Sequence, residues 1–281
     1  MRIDLFYRKL RGFLLDSAGE AASYEAKEII GFVLHLRESE LATIPFSGRE
    51  MSEEDCKKAE ALAKRRNTRE PLEYILGKAW FFGLCFDVTS DCLIPQADTE
   101  IVCEKLISKL KNGGRFADIC TGSGCIALAA LANTKNTTAV GYDISEAALS
   151  VAKRNTEKFG LTARFQLKRA DVFSSDFLSH EEAFDIIVSN PPYIETSVIA
   201  TLSPEVRKEP HIALDGGADG LDFYRRLLEV CPSRIKKGGC LLMEIGYDQK
   251  EALKNLCTAQ GFPCEFYRDF GGNDRVCAVF L

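Results

Sequence analysis

No stretch of the 281 residues approaches the roughly 18 consecutive apolar residues that a bilayer-spanning helix needs. The opening segment from Met1 to Glu20 interleaves charges with its apolar residues, so it lacks the uninterrupted apolar core of a signal peptide. The chain is therefore expected to be soluble and cytoplasmic, with no membrane partner. Histidine is scarce, with only His35, His180 and His211, and the 11 cysteines include no C-x-x-C pair. That odd, scattered set argues against a disulfide framework and against a zinc site of the usual spacing. The cysteines are expected to act as small apolar side chains, and no metal is expected. Excess positive charge is also missing: the net charge is −5 and the pI about 5.5. Such a chain is not built to bind polyanions over its whole surface, so stable nucleic-acid binding is not expected. The one basic cluster, Lys64, Arg65, Arg66 and Arg69, is expected to be the solvated end of a helix.

What is present is ordinary for a folded protein. Hydrophobic residues make up 46% and charged residues 27%, with room for one large domain or a large one and a small one. Ile3, Phe6, Leu10, Phe13 and Leu14 recur at helical spacing, and a second apolar run spans Ile29 to Leu36. Ser52, three residues before Asp55, predicts the cap of a further helix running towards Arg66. Residues 1–72 thus read as a small helical bundle. Residues 73–94 hold Tyr74, Ile75, Trp80, Phe81, Phe82, Phe86 and Val88, punctuated by Gly77 and Gly83, which predicts a linking β-hairpin.

Residues 95–281 alternate between strand and helix patterns. Strands are predicted at 116–119, 138–142, 164–167, 185–189, 240–245, 265–268 and 276–280. Helices are predicted at 125–131, 146–159, 222–235 and 249–259. This α/β alternation means a mostly parallel, Rossmann-like sheet covered on both faces. The last two strands are joined by too short a loop for a parallel crossover, so that pair should be antiparallel. Sheets of this kind bind ligands beyond the strand C-termini.

Two strand ends carry chemistry. The first is Asp118-Ile-Cys120-Thr121-Gly122-Ser123-Gly124, between a strand and a helix. Its glycines permit positive φ and close approach of a ligand, and the helix behind offers free N–H groups. Nineteen residues after Gly124, at the end of the next strand, Asp143 is placed to accept bonds from the hydroxyls of a ribose. Asp171 and Val172 follow the third strand, where a side chain can reach an adenine edge. These features imply an adenosine-type cofactor without separating NAD from S-adenosylmethionine, because Gly122 to Ala127 also fits G-x-G-x-x-A.

The second strand end separates them. A buried strand finishes in Asn190-Pro191-Pro192-Tyr193 and is expected beside the first strand, facing the cofactor loop. Two prolines fix φ twice and remove two donors, leaving the Asn190 side-chain oxygen and the Pro191 carbonyl as acceptors. Such a pair can hold an NH2 group by its two hydrogens, with Tyr193 expected to stack on the planar group behind it. A conjugated nitrogen is a poor nucleophile, and two acceptors on its hydrogens stabilise the positive charge that develops as it attacks. Methyl transfer from S-adenosylmethionine, leaving S-adenosylhomocysteine, uses all of these parts. An NAD-dependent oxidoreductase would leave Asn190 to Tyr193 without a purpose.

Asn190-Pro-Pro-Tyr193-Ile194, with Pro71-Leu-Glu-Tyr-Ile-Leu-Gly77 upstream, resembles the PrmC/HemK family of glutamine methyltransferases. Further matches are Asp98-Thr-Glu100, Glu209-Pro210, Ala213-Leu-Asp-Gly-Gly217, Asp219-Gly-Leu-Asp-Phe-Tyr224, Glu244-Ile-Gly246 and Asp274-Arg-Val276. The resemblance implies a class I methyltransferase sheet and methylation of the glutamine in the Gly-Gly-Gln motif of class 1 peptide chain release factors, in support of translation termination. It implies cofactor contacts from residues 120–124, Asp143, position 172 and Asn190, with residues 1–72 docking the protein partner. An alternative with the same tetrapeptide is methylation of an exocyclic amine of adenine or guanine in nucleic acid. The sequence departs from the family pattern at Cys120, usually Gly, at Gln96 and Ala97, usually Arg-Pro, and at Val172, aromatic in some relatives.

Overall fold

The apolar spacing at the start of the chain falls on one face of a helix. In the computed structural model, which describes residues 1–281, α1 (Ile3–Ala18) buries Ile3, Phe6, Leu10 and Leu14, while Phe13 falls off the stripe and is exposed. Together α1, α2 (Ala22–Val33), α3 (Glu38–Leu41), α4 (Glu53–Asn67) and α5 (Leu72–Leu76) form a bundle with its own core. Ser52 caps α4 as expected, its hydroxyl accepting the Asp55 N–H at 3.0 Å. This unit comprises Met1–Gly77 together with Ser203–Lys208, a segment from far along the chain.

Two expectations change here. Tyr74 and Ile75 belong to α5 and not to a strand. Pro71 sets an extended entry to that helix, and Gly77 closes it with φ +69°, its N–H returning to the Glu73 carbonyl. Arg66 is also no solvated helix end. It is buried, with Nε 2.9 Å from Glu25 and a terminal guanidinium nitrogen 3.0 Å from Glu205. A cation placed so deep needs both partners.

The second unit comprises Lys78–Leu202 and Glu209–Leu281. It opens with the expected hairpin, β1 (Lys78–Phe81) antiparallel to β2 (Leu84–Asp87). Asn155 fixes the hairpin: its side-chain oxygen accepts the Asp87 N–H, and its NH2 donates to the carbonyls of Asp87 and Ser123. After it come α6 (Glu100–Lys109), β3 (Gly114–Ile119), α7 (Cys125–Ala132), β4 (Thr137–Asp143), α8 (Glu146–Lys158), β5 (Phe165–Arg169) and β6 (Phe184–Ser189). The rest is α9 (Thr196–Ile199), α10 (Asp222–Val230), β7 (Ile235–Glu244), α11 (Lys250–Ala259), β8 (Cys264–Arg268) and β9 (Asp274–Phe280). α10 is shorter than expected, because Pro232 cannot continue the helix, and Ile235 already belongs to β7.

Seven strands form one sheet in the order β5-β4-β3-β6-β7-β9-β8. β3 pairs parallel with both β4 and β6, while β9 runs antiparallel between β7 and β8, as the short closing loop predicts. The chain reverses direction across the sheet beside β3, so the ends of β3, β4 and β6 frame a crevice. The core below it, with Phe184, Ile187, Tyr224, Leu241 and Met243 fully buried, gives those strand ends a rigid base.

Candidate active site

A cavity of about 300 Å³ opens above the ends of β3, β4 and β6. Its wall includes Cys120, Thr121, Gly122, Ser123, Asp143, Asp171, Val172, Asn190 and Pro192. Nine of the twelve residues expected at the site therefore meet there, whereas Gly124, Pro191 and Tyr193 do not form part of the wall.

The glycines of the β3 loop do different work. Gly122 has φ +54°, and a Cβ on it would project into open space. Gly124 has φ +80°, and a Cβ there would crowd Leu128 and Phe165 at 3.2–3.3 Å. One glycine keeps a ligand surface clear, and the other lets α7 pack closely on the sheet. Cys120 also takes a left-handed φ of +61°. Its thiol is pushed well up by burial, so it is no nucleophile here. Asp118 braces the loop from below by accepting the Thr121 hydroxyl at 2.7 Å, and burial pushes its carboxyl up to about 7.

Asp143 holds the loop as well as facing the cavity. Its Oδ2 accepts the Gly122 N–H at 2.9 Å, and its Oδ1 accepts the Ser145 N–H at 2.9 Å. Each carboxylate oxygen keeps a further acceptor site. Burial raises the Asp143 pKa, against the pull of those backbone bonds. Ser123 presents a buried hydroxyl without a protein partner on the same wall. A preformed acceptor pair, an unspent hydroxyl and a cleared glycine fit an adenosine-type methyl donor.

On the neighbouring wall, Val172 is nearly buried, and Arg226 donates to its carbonyl at 2.8 Å. The aromatic surface comes from the next residue. Phe173 lines the cavity, half exposed, and meets Phe223 edge to face with ring centroids 5.0 Å apart. The sequence signal for Phe173 was one residue away from the position considered.

At the end of β6, Asn190 donates its NH2 to the Thr99 hydroxyl at 3.3 Å. That bond commits the donor end of the amide to the protein and leaves the carbonyl oxygen as a free acceptor. Tyr193 does not offer the stacking face expected of it. Its ring packs against the core, and its hydroxyl donates to Glu244 at 3.1 Å, because a buried phenol needs a partner. Burial pushes the Glu244 carboxyl up to about 7, opposed by the hydroxyls of Thr99 and Tyr193 and the charge of Arg275. Arg275 in turn pairs with Asp98 at 2.9 Å.

The remaining motif residues clamp the backbone of this tip. Ile194 donates to Leu214 and accepts from Gly216, while Gln249 donates to the Tyr193 carbonyl at 2.9 Å. A Cβ on Gly216 or Gly220 would strike the Tyr193 backbone at 2.5–2.6 Å, so both glycines are required by close approach. Thr99, Phe223 and Glu244 fall within motifs noted in the sequence but were not expected at the site, since each reaches it only through pairing between distant strands and loops.

Two family models and several known proteins match this chain. Residues 95–205 match the family model described as methyltransferase small domain, and residues 7–77 match that described as PrmC N-terminal domain. A release factor glutamine methyltransferase of Geobacter sulfurreducens is 38% identical over 268 residues, 95% of this chain and 92% of its own. One from Thermodesulfovibrio yellowstonii is 36% identical over 260 residues, 90% of each chain. The crystal structure of a methyltransferase from Pyrococcus furiosus shares the fold, with a TM-score of 0.55 over 77% of this chain and 98% of its own at 20% identity. Similarity that runs the length of both partners, over a chain whose glycine loop, acidic strand end and Asn-Pro-Pro-Tyr tip surround one cavity, places this protein in the release factor glutamine methyltransferase family.

Proposed function

We propose that this enzyme transfers a methyl group from S-adenosylmethionine to the side-chain amide nitrogen of the Gly-Gly-Gln glutamine of class 1 peptide chain release factors, acting in the cytoplasm. The observation that carries this reading is that Asn190 shares a cavity wall with Gly122 and Asp143 while its NH2 is committed to Thr99. S-adenosylmethionine would supply the electrophilic methyl group, its methyl–sulfur bond breaking to leave S-adenosylhomocysteine while the methylated nitrogen releases one proton to solvent. Asp143 and the loop from Cys120 to Ser123 bind the adenosine end, with Val172 and Phe173 beside the base. Asn190 Oδ1 takes one hydrogen of the substrate NH2 and the Pro191 carbonyl the other, Pro191 being a buried residue next to the cavity wall and not part of it. Held so, the nitrogen loses conjugation and its developing charge is met by two fixed acceptors. Alignment of nitrogen with methyl carbon at about 3–3.5 Å supplies most of the remaining advantage.

The mouth supports a peptide substrate: Phe173 and Ile212, each about half exposed, give it an apolar rim. The helical unit is proposed to dock the body of the release factor. Mass analysis of release factor after incubation with enzyme and donor tests the reading, with a single added methyl on the Gly-Gly-Gln glutamine as the expected result. Label appearing instead on adenine or guanine amines of RNA or DNA would establish the nucleic-acid alternative.

A further inference from the structure

At the antiparallel edge of the sheet, away from the cavity wall, three cysteines converge. Cys257 on α11, Cys264 on β8 and Cys277 on β9 bring their sulfur atoms within 4.8 Å of one another. The pairing explains why. Phe266 stands opposite Cys277 in the β8–β9 ladder, and Cys264 lies two residues from Phe266 on the same face. Cys257 is buried with Leu253 on the side of α11 that covers this face. Their spacings of seven and thirteen residues are unlike any common metal motif, and only the fold brings them together. All three are free thiols.

Three sulfurs around one ion, each at about 2.3 Å, stand about 3.8 Å apart in a tetrahedral site. The observed cluster needs only small side-chain adjustments to reach that geometry. We propose that Cys257, Cys264 and Cys277 form a binding site for a thiophilic cation of the Zn2+ or Cd2+ class. Three sulfur ligands with no oxygen or imidazole among them select against hard ions such as Mg2+ and Ca2+. Cys264 is only partly buried, which leaves an approach for the ion and a place for a solvent molecule as fourth ligand. Binding forms three metal–sulfur bonds, releases the thiol protons to solvent, and moves no electrons.

Titration of reduced, full-length protein with Cd2+, followed by ultraviolet thiolate-to-metal charge transfer in the presence of a competing chelator, tests this site. The expected result is a band that saturates at one equivalent, with proton release into a weakly buffered solution. Outer-sphere changes alone shift metal affinity by about 10- to 100-fold, so Cys264→Ala should weaken binding by roughly 100-fold or more. Cys277→Ala should do the same, with circular dichroism reporting whether that more buried variant folds. No saturable band in the unmodified protein would overturn the proposal whatever the variants do. So would undiminished affinity in folded Cys264→Ala, which would assign binding to other thiols.

Discussion

Gly122 donates its backbone N–H to Asp143 Oδ2 at 2.9 Å, so the residue proposed to read the ribose also shapes the loop that receives the donor. The two roles separate by substitution. Asp143→Ala removes both, and donor affinity should fall by about 1.5–3 kcal/mol, the worth of charge-assisted hydrogen bonds, or roughly 10- to 100-fold. Asp143→Asn keeps an acceptor for Gly122 while losing the charge, and should sit between the two. Calorimetric titration with S-adenosylmethionine measures both variants. Unchanged affinity in the alanine variant would remove Asp143 from the donor site.

The bond from Asn190 to Thr99 yields a second expectation. Asn190→Ala should abolish turnover while donor affinity stays within a few fold, because its side-chain oxygen is the group proposed to hold the substrate nitrogen and not the donor. Thr99→Val keeps the shape of a nearly buried residue but deletes the oxygen that fixes the Asn190 amide. Misplacing a reacting group slightly is costly, so kcat should fall about 10- to 100-fold with donor Kd unchanged. Single-turnover methylation beside a binding titration resolves the two quantities. Equal losses in both would show that Thr99 supports the whole cavity and not the amide.

Much of this architecture was legible because the signals are local. The change from helical spacing to strand–helix alternation near residue 95, the glycine turn before α7 and the proline pair after β6 each lie within one short segment. The antiparallel closing pair followed from loop length alone. What escaped depends on contacts across the sheet. Glu244 became part of the tip because β7 lies next to β6, and Tyr193 turned from the expected stacking face to a support because that carboxylate was there. Arg66 looked solvated in a charged run until Glu25 and Glu205 enclosed it. α6 passed unread, its buried Ile101, Val102, Cys103 and Leu106 being too short a run to announce a period.

Cys120 holds a left-handed backbone at φ +61° that costs an L-residue about 1–2 kcal/mol. In a regular element, glycine is less stable than alanine by about 0.5–1 kcal/mol. At this loop the order should reverse. Cys120→Gly relieves the strain and Cys120→Ala retains it, so the glycine variant should be more stable by about 1 kcal/mol. Urea unfolding of the two variants compares them directly. The ordinary order, alanine above glycine, would mean that the loop is not strained at this residue.

Glu244 makes stability depend on pH in a direction opposite to that of a salt-bridged acid. Burial raises its folded pKa from 4.5 to about 7, and one carboxylate oxygen lacks a partner. The folded state therefore holds this proton more tightly than the unfolded chain does. Its contribution is fully present below pH 4.5 and is lost as pH rises through about 7. Glu244→Gln has no proton to lose, so its stability relative to the parent should improve by roughly 2–3 kcal/mol between pH 5 and pH 8. The comparison is made within each pH, which cancels contributions from Asp118 and Asp143. Denaturant unfolding of both proteins across that range gives the slope. A flat difference would mean that Glu244 is ionised in the folded protein throughout, held by Arg275 in spite of its burial.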